Sequence, residues 1–249
     1  MQLVVALVGA IIVGAFALHR PRSVPRVAPR SRAPIFPHAW ELVVQQCVPQ
    51  FVHWPEPEQA RMREVVLLLL DGCVHGARGA TFQDEAFLKL AILAAVPLRN
   101  FDNRTILQLP KLVLTPTTAR PVRGYRDGEP QVSVDNAILI PFDRMLRGIG
   151  REGDNIVAHN IAEALDRASG KVDGVPPLTN SHLAALWRHI VTPERVEAFV
   201  RGYPSAYVPN HQRAFAVATE HFFDRGPAMR DALPEVYHFL ASYFGSQPA

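Results

Sequence analysis

Apolar residues recur at helical spacing through most of the chain from Trp40 onward. In the first half, this spacing predicts a helix that opens at Trp40, a second helix at 58–74, and a third helix of about 14 residues that Pro97 ends. Thr81 and Asp84 stand at capping-box spacing before the third helix. The later helices are predicted at 155–167, 181–190, 193–200, 211–223 and 235–244.

Between Pro97 and the helix at 155–167, the pattern changes to short runs rich in β-branched residues. These runs occupy 105–109, 111–115 and 132–141, and Pro, Asp-Gly and Asp-Asn turn signals separate them. They predict a small sheet of roughly three or four strands. The fold class predicted from the whole pattern is α+β, mostly α.

The first 37 residues have a different composition from the rest. Residues 3–18 carry no charge, and at about 1.5 Å per residue they would span roughly 24 Å, the short end of a membrane-crossing helix. Prolines alternate with arginines over 20–37, a composition that stays extended. The sequence thus predicts a transmembrane anchor at 1–19, a Pro/Arg-rich linker at 20–37, and a domain at 38–249.

Charge beside the apolar run predicts how the protein is oriented. No acidic residue precedes Glu41, and arginines follow the apolar run directly. The positive-inside rule then predicts a single-pass protein of the inner (cytoplasmic) membrane with its C-terminal domain in the cytoplasm. A cleaved signal peptide is the alternative, because Ala15-Phe16-Ala17 fits a cleavage site, but the run lacks a basic leader.

The positive charge of the chain resides in its N-terminal tail. The formal net charge is +3, and leaving out the arginines of the tail turns the remainder negative. The domain is therefore not basic, and no nucleic-acid partner is predicted. Cys47 and Cys73 are too few for a disulfide framework, which agrees with a reducing compartment.

The predicted helix at 155–167 carries an altered zinc-peptidase motif. In His-Glu-x-x-His, two imidazoles one helical turn apart bind the metal, and the Glu beside the first acts as general base. Here His159 stands at the first ligand position, Asn160 replaces the base, and Glu163 replaces the second His. Taken alone, the spacing favours an ordinary i, i+4 His–Glu pair at a domain surface over a metal site, because such pairs are common.

Over roughly residues 40–245, the chain resembles the Mlc titration factor A family of zinc-dependent peptidases. Trp187 falls at a position where the family places a tryptophan, and Glu220 matches the family's third ligand. The segments that carry the resemblance are DNIVAH at 154–159, GKVDGVPPL at 170–178, AFAVATEHFF at 214–223 and LPEVY at 233–237.

The resemblance implies a zincin-like metallopeptidase domain with a degenerate metal motif. Its metal set would be His159, Glu163 and Glu220, and Asp166, one turn past Glu163, would orient a ligand. Such an oxygen-rich set suits zinc or a harder divalent ion such as manganese. Metal binding weakens as histidine ligands are lost, so a metal-free site is the alternative.

Asn160 is the departure with the largest chemical consequence. An amide cannot take a proton from a metal-bound water, and losing a general base costs about 10²- to 10⁴-fold in rate. Tyr207, and also Tyr203, precede the Glu220 segment and are candidate oxyanion donors.

Other histidines of the chain are not expected to restore the motif. None of them has a second ligand four residues further on, and His221 points roughly 100° away from Glu220 on the same helix, as a surface or core histidine. These residues are His182, His189, His211 and His221.

Three functions remain open from the sequence. The favoured one is a membrane-anchored pseudoenzyme that binds a peptide or protein partner as a regulator. The resemblance implies a transcriptional regulator as that partner, because the family's named member binds a sugar-responsive repressor. The alternatives are an active metallopeptidase with a His159, Glu163 and Glu220 metal site, and a tethered structural module without a functional cleft.

Overall fold

The computed structural model describes residues 35–77, 80–116, 131–132, 137–149, 155–168, 173–178, 180–192, 194–195, 198 and 213–245. The predicted anchor, nearly all of the linker, Tyr203, Tyr207 and His211 lie outside these residues, as does most of the helix predicted at 193–200. Within the described part, no helix combines the length and apolarity needed to cross a membrane.

Helices dominate the described residues, and the mostly helical α+β class is confirmed. A 3₁₀ turn at Pro49–His53 follows the first helix. The helices are α1 (His38–Cys47), α2 (Glu56–Gly72), α3 (Asp84–Leu98), α4 (Asn103–Leu107), α5 (Phe142–Gly148), α6 (Ile156–Ala168), α7 (Ser181–Ile190), α8 (Ala214–Asp224), α9 (Gly226–Ala232) and α10 (Pro234–Phe244).

A four-stranded sheet lies beside these helices, in the order β1-β2-β4-β3. Strands β1 (Val74–Gly76), β2 (Lys111–Thr115) and β4 (Ala137–Pro141) run parallel to one another, and β3 (Gln131–Val132) pairs antiparallel with β4. The prediction of a small sheet is therefore confirmed. One predicted strand at 132–141 is in fact two, because the chain reverses between β3 and β4.

The strand predicted at 105–109 is wrong, since that segment forms the short helix α4. Asp102 accepts a hydrogen bond from the backbone N–H of Thr105 at 2.9 Å, and the Thr105 hydroxyl donates to the same carboxylate at 2.8 Å. This side-chain cap satisfies the first turn of the helix and outweighs the β preference of Thr105 and Ile106.

Two helix ends also differ from prediction. No capping box forms before α3, because its N-cap is Gln83 and Thr81 lies outside the first turn, without a side-chain cap hydrogen bond. Pro97 lies inside the last turn of α3, which ends at Leu98. The helix predicted at 58–74 ends at Gly72, and Val74 begins β1 instead.

The core centres on α6 and α8, which pack against each other. Helix α6 also contacts α3 and β4, so it is enclosed by helices on some sides and by the sheet on another. Every residue from Ile156 to Ala162 and every residue from Ala214 to Phe222 is buried. Any polar side chain on these stretches must therefore find a partner inside the protein.

Candidate functional site

Helix α6 places the altered motif inside the domain. Asn155 begins the helix, and its side-chain oxygen accepts a hydrogen bond from the N–H of Ala158 at 3.0 Å. This bond satisfies one of the first-turn N–H donors of the helix, which lie in the buried part of the protein. His159 and Asn160 follow in the next turn, and neither has any solvent exposure.

His159 lies between two carboxylates. Its Nδ1 is 3.0 Å from Oε2 of Glu220 on α8, and its Nε2 is 3.5 Å from Oε1 of Glu163, one turn further along α6. The side chains of His159 and Glu220 are fully buried, and that of Glu163 is 12% exposed. The structure therefore brings together all three residues predicted as a ligand set.

The two carboxylates favour the charged form of the imidazole. Burial alone would lower the pKa of His159, but the contacts with Glu163 and Glu220 outweigh burial and raise that pKa above its ordinary value. An imidazole carries an N–H on both ring nitrogens only when it is protonated. The charged form can therefore donate its Nδ1–H to Glu220, while its Nε2–H faces Glu163 at the longer distance of an ion pair.

This arrangement does not fit a single metal ion. A zinc ion must lie about 2.0–2.2 Å from each nitrogen or oxygen ligand. The ring nitrogens of His159 point to opposite sides, Nδ1 toward Glu220 and Nε2 toward Glu163. An ion beside one nitrogen would be separated from the other carboxylate by the ring itself. Among the described residues, no group of three His, Cys, Asp or Glu side chains is arranged to hold a metal.

Asn160, at the position of the general base, is turned into the protein. Its side-chain amide donates to the carbonyl oxygen of Ile156 at 2.8 Å, across one turn of its own helix. The side-chain oxygen has no hydrogen-bond partner among the described residues. The side chain does not titrate because it is an amide, and it does not meet solvent water because the residue is fully buried.

Asp166 has a role in shaping the loop after α6. Its Oδ2 accepts a hydrogen bond from the N–H of Gly174 at 3.0 Å, and the Gly174 carbonyl accepts one from the indole N–H of Trp187 at 2.8 Å. Burial, with a smaller contribution from the nearby charge of Asp173, raises the pKa of Asp166 to about 6. Helices α6 and α7 thus hold the loop at 173–178 from both sides.

Gly174 is the site residue that sequence reasoning missed. It adopts φ = 72°, a left-handed conformation that favours glycine. The Asp173-Gly174 pair is a turn signal, so the sequence contained a clue to this position.

The described histidines outside the motif do not join the His159 group as further ligands. His182 and His189 are exposed on α7. His221 is fully buried next to Glu220, and burial lowers its pKa to about 4, so the imidazole is neutral at physiological pH. Its place in the core agrees with the prediction of a surface or core histidine.

A cavity of about 270 Å³ opens beside the N-terminal end of α6. Its apolar lining includes Val96 from α3, Ile149 after α5, and Phe223 from α8. Gln50 and Asn155 contribute polar groups, and Asp224 contributes a carboxyl group. Ala158, the residue before His159, also lines this cavity, so the cavity adjoins the altered motif.

Comparison with known proteins points in one direction. The model of the glucose-regulated metallopeptidase M90 family matches residues 22–245. The chain is also similar to an uncharacterized protein of Synechocystis sp. The alignment shows 24% identity over 241 residues, and its coverage is 86% of this chain and 86% of the relative. The family match therefore includes all the helices and strands described above.

Proposed function

The chain belongs to the glucose-regulated metallopeptidase M90 family, and we propose that it is a non-hydrolytic member that binds a peptide or protein partner. In this proposal, the peptidase fold persists and serves recognition, because a fold can outlast the chemistry it once supported. The protein would act as a regulator through the partner it holds.

One observation carries the proposal, namely the state of Asn160. Hydrolysis by a metal-bound water needs a group that accepts the proton of that water. The amide of Asn160 cannot accept it, and the side chain is buried and bonded to the Ile156 carbonyl. The position that would supply the base therefore supplies a structural hydrogen bond instead.

An active metallopeptidase has less support. That function needs His159, Glu163 and Glu220 to converge on one ion, whereas the two carboxylates lie at opposite ring nitrogens of His159. Glu163 is also engaged by His159 and approached by Arg167 at 4.0 Å, which leaves it poorly placed to act as a general base.

The cavity beside α6 is the proposed contact point for the partner. Its volume of about 270 Å³ is large enough for an apolar side chain with its flanking backbone and lies near the lower end of the range for small-molecule pockets, about 300 Å³. Gln50 and Asn155 at its wall offer hydrogen bonds to a peptide backbone. A transcriptional regulator is the proposed partner class by family resemblance.

We also propose that this binding takes place at the inner membrane. The uncharged run at 3–18 and the arginines that follow it support a single-pass anchor with the domain in the cytoplasm. The negative charge of the remainder of the chain gives no support for nucleic-acid binding.

Affinity purification of the full-length protein tests this function. Val96→Trp should fill the cavity and reduce recovery of the bound partner, because Val96 lines the cavity and is only partly buried. Leu107→Trp is the matched control, since Leu107 lies on α4 with 54% of its surface exposed. The partner should be recovered uncleaved with wild type and with the control. Equal recovery with all three proteins, or recovery of cleaved fragments, would contradict the proposal.

A further inference from the structure

The buried row formed by Glu163, His159 and Glu220 places a basic ring between two acids. A metal ion bound at the same helices would also put positive charge between these carboxylates. We propose that the imidazole of His159 takes the place of a metal ion as the link between α6 and α8, so that the domain is held together without metal. This inference concerns how the fold is maintained and goes beyond partner binding.

The geometry supplies the first step of the argument. The contact between Nδ1 of His159 and Glu220 joins residues that are 61 positions apart in the chain. It therefore connects two helices, whereas the contact between Nε2 and Glu163 stays within α6. One side chain thus fixes the position of a carboxylate on each helix, which is what a bridging ion does.

The surroundings of Glu220 supply the second step. Glu220 is fully buried, its Oε1 has no hydrogen-bond partner among the described residues, and its Oε2 contacts His159. A buried carboxylate without a compensating partner is strongly unfavourable. Within the described part, Glu220 makes its ion-pair contact with His159.

The third step is that the charge of Glu163 is compensated differently from the charge of Glu220. It is 12% exposed, and Arg167 lies 4.0 Å from its second oxygen. Its charge is therefore compensated from two directions and partly by solvent. The contact between His159 and Glu220 should consequently contribute more to stability than the contact between His159 and Glu163.

Metal analysis and thermal unfolding of the purified full-length protein test the proposal. We expect far less than one bound ion per chain, and a melting temperature that EDTA or added zinc changes by no more than about 1 °C. A zinc site saturated to about 100 times its dissociation constant would instead raise the melting temperature by roughly 5–10 °C. A zinc-dependent rise or an EDTA-dependent fall of that size would overturn the proposal.

Two charge-removing variants complete the test. Glu220→Gln should lower the melting temperature by about 5 °C or more, because it removes the carboxylate charge from the buried contact between α6 and α8. Glu85→Gln is the matched control, since Glu85 pairs with Lys89 at 2.7 Å on the surface with 52% of its side chain exposed, and it should change the melting temperature by less than about 2 °C. Equal effects of the two variants would contradict the proposal.

The chelation measurement on wild type keeps the proposal falsifiable even if Glu220→Gln fails to fold. Failure of this inference is also distinct from failure of the proposed function. A domain that needs zinc for stability could still bind its partner through the cavity, and the recovery experiment with Val96→Trp would show that.

Discussion

Asn160, at the position of the general base, is fully buried and donates a hydrogen bond within its own helix. The bond from its amide to the Ile156 carbonyl satisfies a donor that would otherwise be buried without a partner. The side-chain oxygen of Asn160 has no hydrogen-bond partner among the described residues. The residue therefore behaves as part of the core rather than as part of an open site.

Replacing Asn160 by Asp should destabilise the fold. The change removes the N–H donor and places a carboxyl oxygen against the Ile156 carbonyl in a buried environment. We expect the free energy of unfolding to fall by about 2–4 kcal/mol, as measured by urea denaturation. Asn180→Asp is the control, because Asn180 caps α7 through its oxygen, which Asp retains, and that variant should differ from wild type by less than about 0.5 kcal/mol. Similar losses for both variants would contradict this account of Asn160.

Asp166 gives a pH dependence with a defined sign. Its pKa is raised to about 6, whereas an unfolded Asp titrates near 4. The folded state thus holds an extra proton between about pH 4 and pH 6. The stability from protonated Asp166 is fully present below about pH 4 and is lost as the pH rises through 6.

Asp166→Asn keeps a neutral side chain at every pH and should avoid this loss. Relative to wild type, the variant should gain about 1–3 kcal/mol of unfolding free energy between pH 4 and pH 7. Urea denaturation of both proteins at several pH values measures the difference. At pH 4 the two should be nearly equal, which serves as the internal control. A difference that stays constant across this range would show that folding does not raise the pKa of Asp166.

At the scale of elements, the loop after α6 is fixed by its two neighbouring helices. Asp166 on α6 binds the N–H of Gly174, and Trp187 on α7 binds its carbonyl. The backbone N–H and C=O of Gly174 are therefore both hydrogen-bonded, and Gly174 has a left-handed backbone conformation. The loop position depends on a conformation that other residues adopt only at a cost.

Gly174→Ala should destabilise the protein by about 1–2 kcal/mol, because an alanine is strained at φ = 72°. Gly72→Ala is the matched control, a glycine in a helix without the left-handed conformation of Gly174. Gly72 lies in the last turn of α2, and an added methyl group would lie 3.5 Å from Leu107, an ordinary contact. That variant should be neutral or stabilise by up to about 1 kcal/mol. Thermal unfolding of both variants checks the pair, and a stabilising Gly174→Ala would contradict the role assigned to this glycine.

Elements with strong periodicity were predictable from the sequence, and those decided by one local contact were not. Helix α6 and strand β2 follow their apolar patterns closely. Helix α4 could not be predicted from its pattern, because the cap from Asp102 outweighs a β-branched composition. The change of chain direction between β3 and β4 was also not predicted, because an apolar run does not show where one strand ends and an antiparallel strand begins.

The candidate site was predictable only in part. Spacing along one helix placed His159 near Glu163, as the i, i+4 rule requires. Its contact with Glu220 depends on packing between α6 and α8, which only the family resemblance anticipated. Neither the helical spacing nor the family resemblance indicated that the imidazole ring of His159 would lie between the two carboxylates. That position depends on side-chain rotation in the core.

At the scale of the whole molecule, the central helices and the sheet of a metallopeptidase-family domain surround an altered centre. The positions that would hold a metal and a base are used for an internal ion pair and a structural hydrogen bond. The adjoining cavity remains available for a partner. The central claim is therefore that this protein recognises a polypeptide without cleaving it.

The most direct test is hydrolysis of an unfolded protein substrate by the purified full-length protein with zinc present. Peptide release, followed by mass spectrometry, should equal that of the buffer and of His159→Ala, since loss of the general base alone costs about 10²- to 10⁴-fold in rate. Zinc-dependent peptide release by wild type that disappears in both His159→Ala and Glu220→Ala would contradict the account.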